Sequence, residues 1–137
     1  MDSGWQSAFG KIILFGEHAV VYGAKALAAS IPDAVKARVL SNSEHENLKY
    51  ATLSIPRWSI TRRLDKAEDN AQSDDLLYRM FSLICHELQL SNKRFYLEIE
   101  PSIPSASGLG ASAAMAVASI RALNVSFNLD LSEERID

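Results

Sequence analysis

Residues 101–116 read PSIPSASGLGASAAMA, and the reading of this stretch decides the fold. Pro101 and Pro104 with the serines at 102, 105 and 107 disfavour regular structure. Gly108 and Gly110 close the segment, and an alanine-rich run beyond them favours a helix. Just upstream, Phe95, Leu97 and Ile99 alternate with Tyr96, Glu98 and Glu100, which is the period of a half-buried strand. The order is therefore strand, glycine loop, helix. Glycine lets such a loop turn tightly and bring backbone N–H groups within reach of a ligand. The helix beyond adds four unpaired N–H groups and the positive end of its dipole. A polyphosphate suits that cradle. A Gly-x-Gly pair alone marks turns as well as sites, so the rest of the chain has to supply the context.

Working outward, the helix after the loop is expected over Leu109 to Leu123. Ser132 with Glu133 and Glu134 then starts a third helix that has little more than one turn before Asp137, the pattern of a chain truncated inside a longer fold. Upstream, Ser73 with Asp74 and Asp75 opens a helix whose Leu76, Leu77, Met80, Phe81, Ile84 and Leu88 recur at helical spacing. Asp65 to Ser73 reads as a charged surface loop. Leu48 to Ile55 is expected as a strand stopped by Pro56. Ala26 to Ser30 and Ala34 to Leu40 read as two strands broken near Pro32, the second with Val35, Ala37 and Val39 alternating against Lys36 and Arg38. Lys11 to Phe15 (KIILF) reads as a short buried strand ended by Gly16.

The 137 residues, 47% hydrophobic and 23% charged, suit one small domain or part of a larger one, and exclude a disordered or fibrous chain. A net charge of −3 offers nucleic acid no attraction, and the brief cluster Arg57, Arg62 and Arg63 reads as a solvated face. Cys85 is the single cysteine, so no intrachain disulfide can form and no metal-ligand spacing exists. Its place in an apolar helical stripe puts it at the edge of the core rather than in a nucleophile's setting. His45 lies in a polar turn and His86 opposite the stripe of Leu77, Phe81 and Ile84, so both read as solvated. Neither a signal peptide nor a run of membrane-spanning length is present, and a reducing cytoplasm is the expected compartment.

A second unusual segment lies at residues 10–23, GKIILFGEHAVVYG, with Lys11 at one end of an apolar strand and Glu17 and His18 beyond the other. Together with the pattern Pro-x-x-x-Gly-Leu-Gly-x-Ser-Ala over residues 104–113, it resembles the GHMP kinases, a superfamily of small-molecule kinases. Gly-Glu-His-Ala-Val-Val-Tyr-Gly is similar to the form found in the family's mevalonate-phosphorylating branch. Galactose-phosphorylating members continue Gly-Glu-His as Thr-Asp-Tyr, and phosphomevalonate-phosphorylating members usually carry Gly-Glu-Tyr.

The resemblance spans roughly Ala8 to Leu123 and implies an α+β fold. That fold is a ribosomal protein S5 domain 2-like N-terminal domain with a mixed sheet and helices on one side. Residues 1–137 would then be an incomplete ATP-binding domain, truncated before the C-terminal domain. ATP and Mg²⁺ are the implied cofactors. Ala106, Ser107, Gly108, Leu109, Gly110, Ala111 and Ser112 would wrap the phosphates, and the Ser112 hydroxyl would help hold the metal. Lys11 would be catalytic, lowering the pKa of the acceptor hydroxyl and offsetting charge in an in-line transfer. Glu17 and His18 would orient the carboxylate and hydroxyls of mevalonate. Arg57 falls where the family places a nucleotide-contacting polar residue.

Phe9 departs from the family's usual proline, and Ala111 replaces the first of two serines while Ser112 is retained. The family's catalytic aspartate and magnesium-binding glutamate come after the second motif, and nothing up to Asp137 matches them. The implied reaction is phosphorylation of mevalonate to 5-phosphomevalonate in isoprenoid biosynthesis, with no nucleic-acid or membrane partner and room for a homodimer in the complete enzyme. The 137 residues alone are expected not to turn over. Two other readings stay open: a family member with another acceptor, such as phosphomevalonate, and a catalytically silent module that binds a nucleotide or a partner.

Overall fold

In the computed structural model, residues 4–40, 47–65 and 75–136 are described. They form the strands β1 (Gln6–Phe15), β2 (Leu27–Leu40), β3 (Thr52–Ile55), β4 (Ile60–Arg63) and β5 (Tyr96–Pro101). The helices are α1 (Leu76–Glu87), α2 (Ala111–Phe127) and α3 (Glu133–Ile136). The sheet order is β1-β2-β5-β3-β4. Only the β3–β5 pairing is parallel, so the sheet is mixed, as the sequence implies.

Helix α2 lies across β1, β2 and β5, and α1 lies beside it. Alternation on the strands supplies Val35 and Ala37 from β2, Leu97 and Ile99 from β5, and Leu53 and Ile55 from β3, all fully buried. The helices answer with Phe81, Ala114, Ala118, Ala122 and Leu123. Three alanines on the α2 face leave little side chain between helix and sheet, so the two backbones approach closely. Phe95 stands edge-on to Phe81 at 6.1 Å and to Phe127 at 5.4 Å, which adds about 0.5–1.5 kcal/mol per ring pair beyond area burial. On the other face of the sheet Arg38 meets Glu98, its direct neighbour in the ladder, at 3.3 Å. The Trp5 ring lies 4.5 Å from the same guanidinium.

Polar contacts fix the helices. Asp75 caps α1 by accepting the Tyr78 N–H at 3.0 Å, and its other oxygen accepts from Arg62 Nε, joining β4 to the helix. Arg121 of α2 donates to the Ser7 carbonyl at 2.9 Å and pairs with Glu133 at 2.7 Å, tying β1, α2 and α3 together. The Asn124 side chain accepts the Leu131 N–H and donates to the Leu131 carbonyl, which docks the approach to α3.

Several elements differ from the sequence pattern, each for a physical reason. β2 is one strand, not two, because Pro32 sits in a bulge. Between the pairs Gly10↔Ile31 and Ala8↔Val35 the chain advances four residues on β2 and two on β1, with Asp33 left-handed at φ 48°. A proline costs no ladder bond there. KIILF is exposed rather than buried, since β5 flanks β2 only from Val35 to Leu40. Residues 10–15 of β1 and 27–31 of β2 pair only with each other and form a two-stranded ribbon, on which Phe15 is 61% exposed.

The strand expected over Leu48 to Ile55 shortens to Thr52–Ile55, the part that finds β5 and β4 as partners. The sequence pattern does not reveal β4. Arg62 and Arg63, which read as a solvated face, pair with Leu53 and Thr52 across a tight 3₁₀ turn, Pro56–Trp58, closed by Ser59 at φ 55°. α2 starts two residues later than expected, because Gly110 is its left-handed N-cap, and it continues to Phe127. Cys85 is fully buried rather than at the core edge, whereas His86 is solvated as expected, 3.4 Å from Glu87. His45, Ser73, Asp74 and most of the Asp65–Ser73 loop lie outside the described residues.

Candidate phosphate-binding site

Strand β5 ends at Pro101, which is fully buried, and the next amide, Ser102 N–H, donates to the Ala34 carbonyl of the β2 bulge at 2.8 Å. The loop over residues 102–110 then turns through three left-handed positions, Ala106 at φ 55°, Gly108 at 70° and Gly110 at 76°. Backbone alternating into that region forms concavities of N–H groups suited to anions. Inside the loop, Ser107 Oγ donates to the Pro104 carbonyl at 2.8 Å, so that serine braces the loop. The N-cap of the 17-residue α2 is a glycine, which offers no side-chain acceptor, and its first turn carries no acidic side chain. The first intrahelical bond is Ala114 N–H to the Gly110 carbonyl. The preceding amides of Ala111, Ser112 and Ala113 thus stand at the positive end of the helix dipole with no cap from that position.

The first motif is seated directly on this loop. Lys11 N–H donates to the Leu109 carbonyl at 2.9 Å. Such contact requires glycine at position 10 and is tight at position 110, where φ is also left-handed. A Cβ at Gly10 would lie 2.8 Å from the Leu109 oxygen and 2.9 Å from Ala34 Cβ, and one at Gly110 would lie 3.1 Å from Lys11 Cγ. The structure therefore brings Lys11 together with Gly108, Leu109, Gly110 and the start of α2. The Lys11 ammonium has no hydrogen-bond or ion-pair partner among the described residues.

Glu17 and His18 are placed elsewhere. They follow β1 at the far end of the ribbon, beyond four more strand residues or about 13 Å of extended chain from Lys11. They lie 4.0 Å from each other, with side chains 54% and 96% exposed. Ser112 is exposed in the first turn of α2. Among the described residues no three His, Cys, Asp or Glu side chains converge. Magnesium is usually held by one or two carboxylates with phosphate oxygens and water, so Ser112, one neutral oxygen, does not make a magnesium site by itself. Burial pushes the Cys85 thiol up to about 12, which takes it out of nucleophilic chemistry.

Two residues of this region carry roles that pattern reading does not supply. Gly10 is needed for close approach, and the signal for it was its place between the Phe9 side chain and a strand lysine. Arg57, exposed on the β3–β4 turn as the sequence suggests, also donates to the Pro101 carbonyl at 3.0 Å.

The sequence pattern described as GHMP kinases N terminal domain matches residues 75–136, which hold α1, β5, the glycine loop and α2. The chain has the fold of the GHMP kinase N-terminal domain. Within that family its similarity is to mevalonate kinases. It is 33% identical to the mevalonate kinase of Archaeoglobus fulgidus over 143 residues, which cover 95% of this chain and 40% of that protein. The structure of L. major mevalonate kinase in complex with R-mevalonate superposes with a TM-score of 0.65 at 28% identity, covering 98% of this chain and 39% of that one. Methanococcus jannaschii mevalonate kinase shares the fold with a TM-score of 0.72 at 23% identity, over 96% of this chain and 43% of that one. The chain spans about 40% of the length of the curated relatives it matches. Among the described residues no helix is long and apolar enough to cross a membrane.

Proposed function

We propose that this chain supplies the nucleotide side of the active site of an ATP-dependent kinase that phosphorylates mevalonate on its 5-hydroxyl, as part of the N-terminal domain of that enzyme. The observation that carries this reading is the bond from Lys11 N–H to the Leu109 carbonyl, which seats a lysine against an anion cradle. The backbone N–H groups of Ala106 to Ser112 take the phosphates, with the dipole of α2 favouring their charge. Lys11 directs its ammonium to the place where charge develops as the acceptor oxygen bonds to the γ-phosphorus, the bond to the ADP oxygen breaks and the hydroxyl proton passes to solvent water.

Glu17 and His18, further along the ribbon, take the carboxylate and hydroxyl end of the acceptor, His18 as donor and Glu17 as its orienting partner. The choice of mevalonate rests on the relatives. Magnesium neutralises phosphate charge in reactions of this kind. Ser112 would lend it one oxygen, and no step here depends on further ligands from these residues.

Titration of the isotopically labelled chain with ATP tests the site. Amide shifts confined to Ala106–Ala113 and Lys11 are the expected result. Saturable shifts centred on another surface, or none at millimolar ATP, would remove the phosphate assignment.

A further inference from the structure

We propose that Arg57 is a positioning residue for the glycine loop: by holding the Pro101 carbonyl it fixes the direction in which residues 102–110 leave β5. The inference rests on the phosphate reading of that loop. The ladder between β3 and β5 ends at the pair Ser54↔Glu98, so the last three residues of β5 have no strand beside them on that side. On the other side β2 pairs through to Val35↔Pro101, and the Ala34 carbonyl accepts Ser102 N–H. Pro101 is fully buried, and its carbonyl would be an unsatisfied acceptor were it not for Arg57 Nη1 at 3.0 Å. The guanidinium therefore replaces the missing strand partner.

Its own placement is firm. Arg57 lies in the 3₁₀ turn that begins with Pro56, is closed by Ser59 N–H to the Pro56 carbonyl at 3.0 Å, and rests on the core through Trp58. The loop is thus gripped at its base by Arg57 and Ala34 and at its end by Lys11. Between those grips lie the left-handed positions Ala106 and Gly108. Releasing the base frees the cradle's amides to wander while leaving α2 and the sheet in place. Arg57 acts here through the loop, without contact to the phosphates.

The test compares the 137-residue chain with Arg57→Ala and Arg57→Lys by amide hydrogen exchange and by titration with ATP. In Arg57→Ala, exchange at Ser102, Ile103 and residues 105–109 should speed up about tenfold, the scale of one charged hydrogen bond, while Ala118 and Leu123 exchange as before. ATP affinity should fall by a similar factor. Lysine also donates to a carbonyl, so Arg57→Lys should recover most of both effects, which a general loss of stability would not allow. Unchanged loop exchange in Arg57→Ala overturns the proposal, and so does weaker ATP binding without faster loop exchange, which would make Arg57 a direct nucleotide contact. If Arg57→Ala does not fold, Arg57→Gln and Arg57→Lys decide by the same two readouts. Should the parent bind no ATP while Arg57→Ala still loosens the loop, the phosphate reading fails and the anchoring of the loop by Arg57 stands.

Discussion

Lys11 N–H and the Leu109 carbonyl, 98 positions apart in sequence, are 2.9 Å apart in space. That bond closes the strand edge of the first motif onto the last turn of the glycine loop, leaving no room for a side chain at Gly10 and a tight fit at Gly110, whose φ of 76° also favours glycine. The backbone of Lys11 and the amides of the glycine loop consequently share one frame, and in the proposed function that frame would hold the base of the lysine side chain beside the phosphates.

Gly10→Ala tests that frame. Its Cβ would sit 2.8 Å from the Leu109 oxygen and 2.9 Å from Ala34 Cβ, so the loop or the bulge must move. Urea denaturation should show a loss of about 1–3 kcal/mol, the range for overpacking a close contact. A change under about 0.5 kcal/mol would show that the clasp relaxes freely.

Gly110→Val addresses the cradle itself. At φ 76° a β-branched residue is strained, and the helix start must shift to relieve it. ATP binding by folded protein should weaken by about 1–3 kcal/mol through loss of charged hydrogen bonds. Equal affinity in calorimetry would count decisively against Gly110 lining the site.

The strand, loop and helix over residues 95–127 were legible in the sequence because alternation, glycine and alanine each act locally there. Helix α1 was legible for the same reason, its capping Asp75 preceding a clear apolar stripe. The ribbon was not. An apolar run such as KIILF states that residues prefer burial, whereas exposure depends on where β5 stops flanking β2, a relation between distant segments. β4 was hidden because Ile60 is its one apolar residue and a tight turn precedes it. The juxtaposition of Lys11 with the loop came only from family resemblance. The grip of Arg57 on Pro101 had no sequence signal, since a backbone carbonyl in want of a donor leaves no mark on composition.

Asp75 gives a pH-dependent prediction. Its carboxyl is held below the ordinary 3.8, chiefly by the Tyr78 N–H, against the opposing effect of burial and with further lowering by Arg62. A depressed folded-state pKa stabilises the fold above 3.8, and the contribution is lost as pH falls through the lower folded value. Asp75→Ala should therefore cost about 1 kcal/mol near neutral pH, the typical worth of an N-cap, and the gap from the parent should close below pH 3.8. Asp75→Asn, which keeps an acceptor for Tyr78, should lose less. A gap that stays constant from pH 7 to pH 2.5 would show that the carboxylate charge does not stabilise the helix.

Cys85 should be silent in the native protein. It is fully buried and its thiol is pushed up to about 12, so almost no thiolate exists at pH 8 and no reagent can reach it. Ellman's reagent should modify it only at the rate of unfolding, with a full equivalent released in denaturant. Fast modification of the folded chain would mean that α1 opens locally far more readily than its packing indicates.

Turnover is the last expectation, and it separates binding from catalysis. Phosphoryl transfer needs the acceptor, the γ-phosphate and a metal held in line by groups converging from several directions. In the proposed function the described residues would supply the lysine and the phosphate cradle, but they bring no three acidic, histidine or cysteine side chains together, and Ser112 would give a metal one neutral oxygen. After the glycine loop the acidic residues up to position 136 are Asp130, Glu133 and Glu134, and Glu133 is held by Arg121 on the far side of α2 from its N-terminus. The end of the ribbon and the turn after it, which carry Glu17 and His18, also leave Leu14, Phe15, Val21 and Tyr22 exposed, so the proposed acceptor side would have no wall among these residues to exclude water. Residues 1–137 should accordingly bind ATP weakly and show no mevalonate-dependent release of ADP in a coupled assay. The same residues joined to the remaining portion of the Archaeoglobus fulgidus relative should turn over, and Lys11→Met in that chimera should lower kcat by about 10²-fold with little change in ATP affinity. Turnover by residues 1–137 alone near ~10 s⁻¹, the usual enzyme scale, would show that this chain already holds the acidic groups the reaction needs. A Lys11→Met chimera within a few-fold of its parent would return Lys11 to the role of a strand-end lysine.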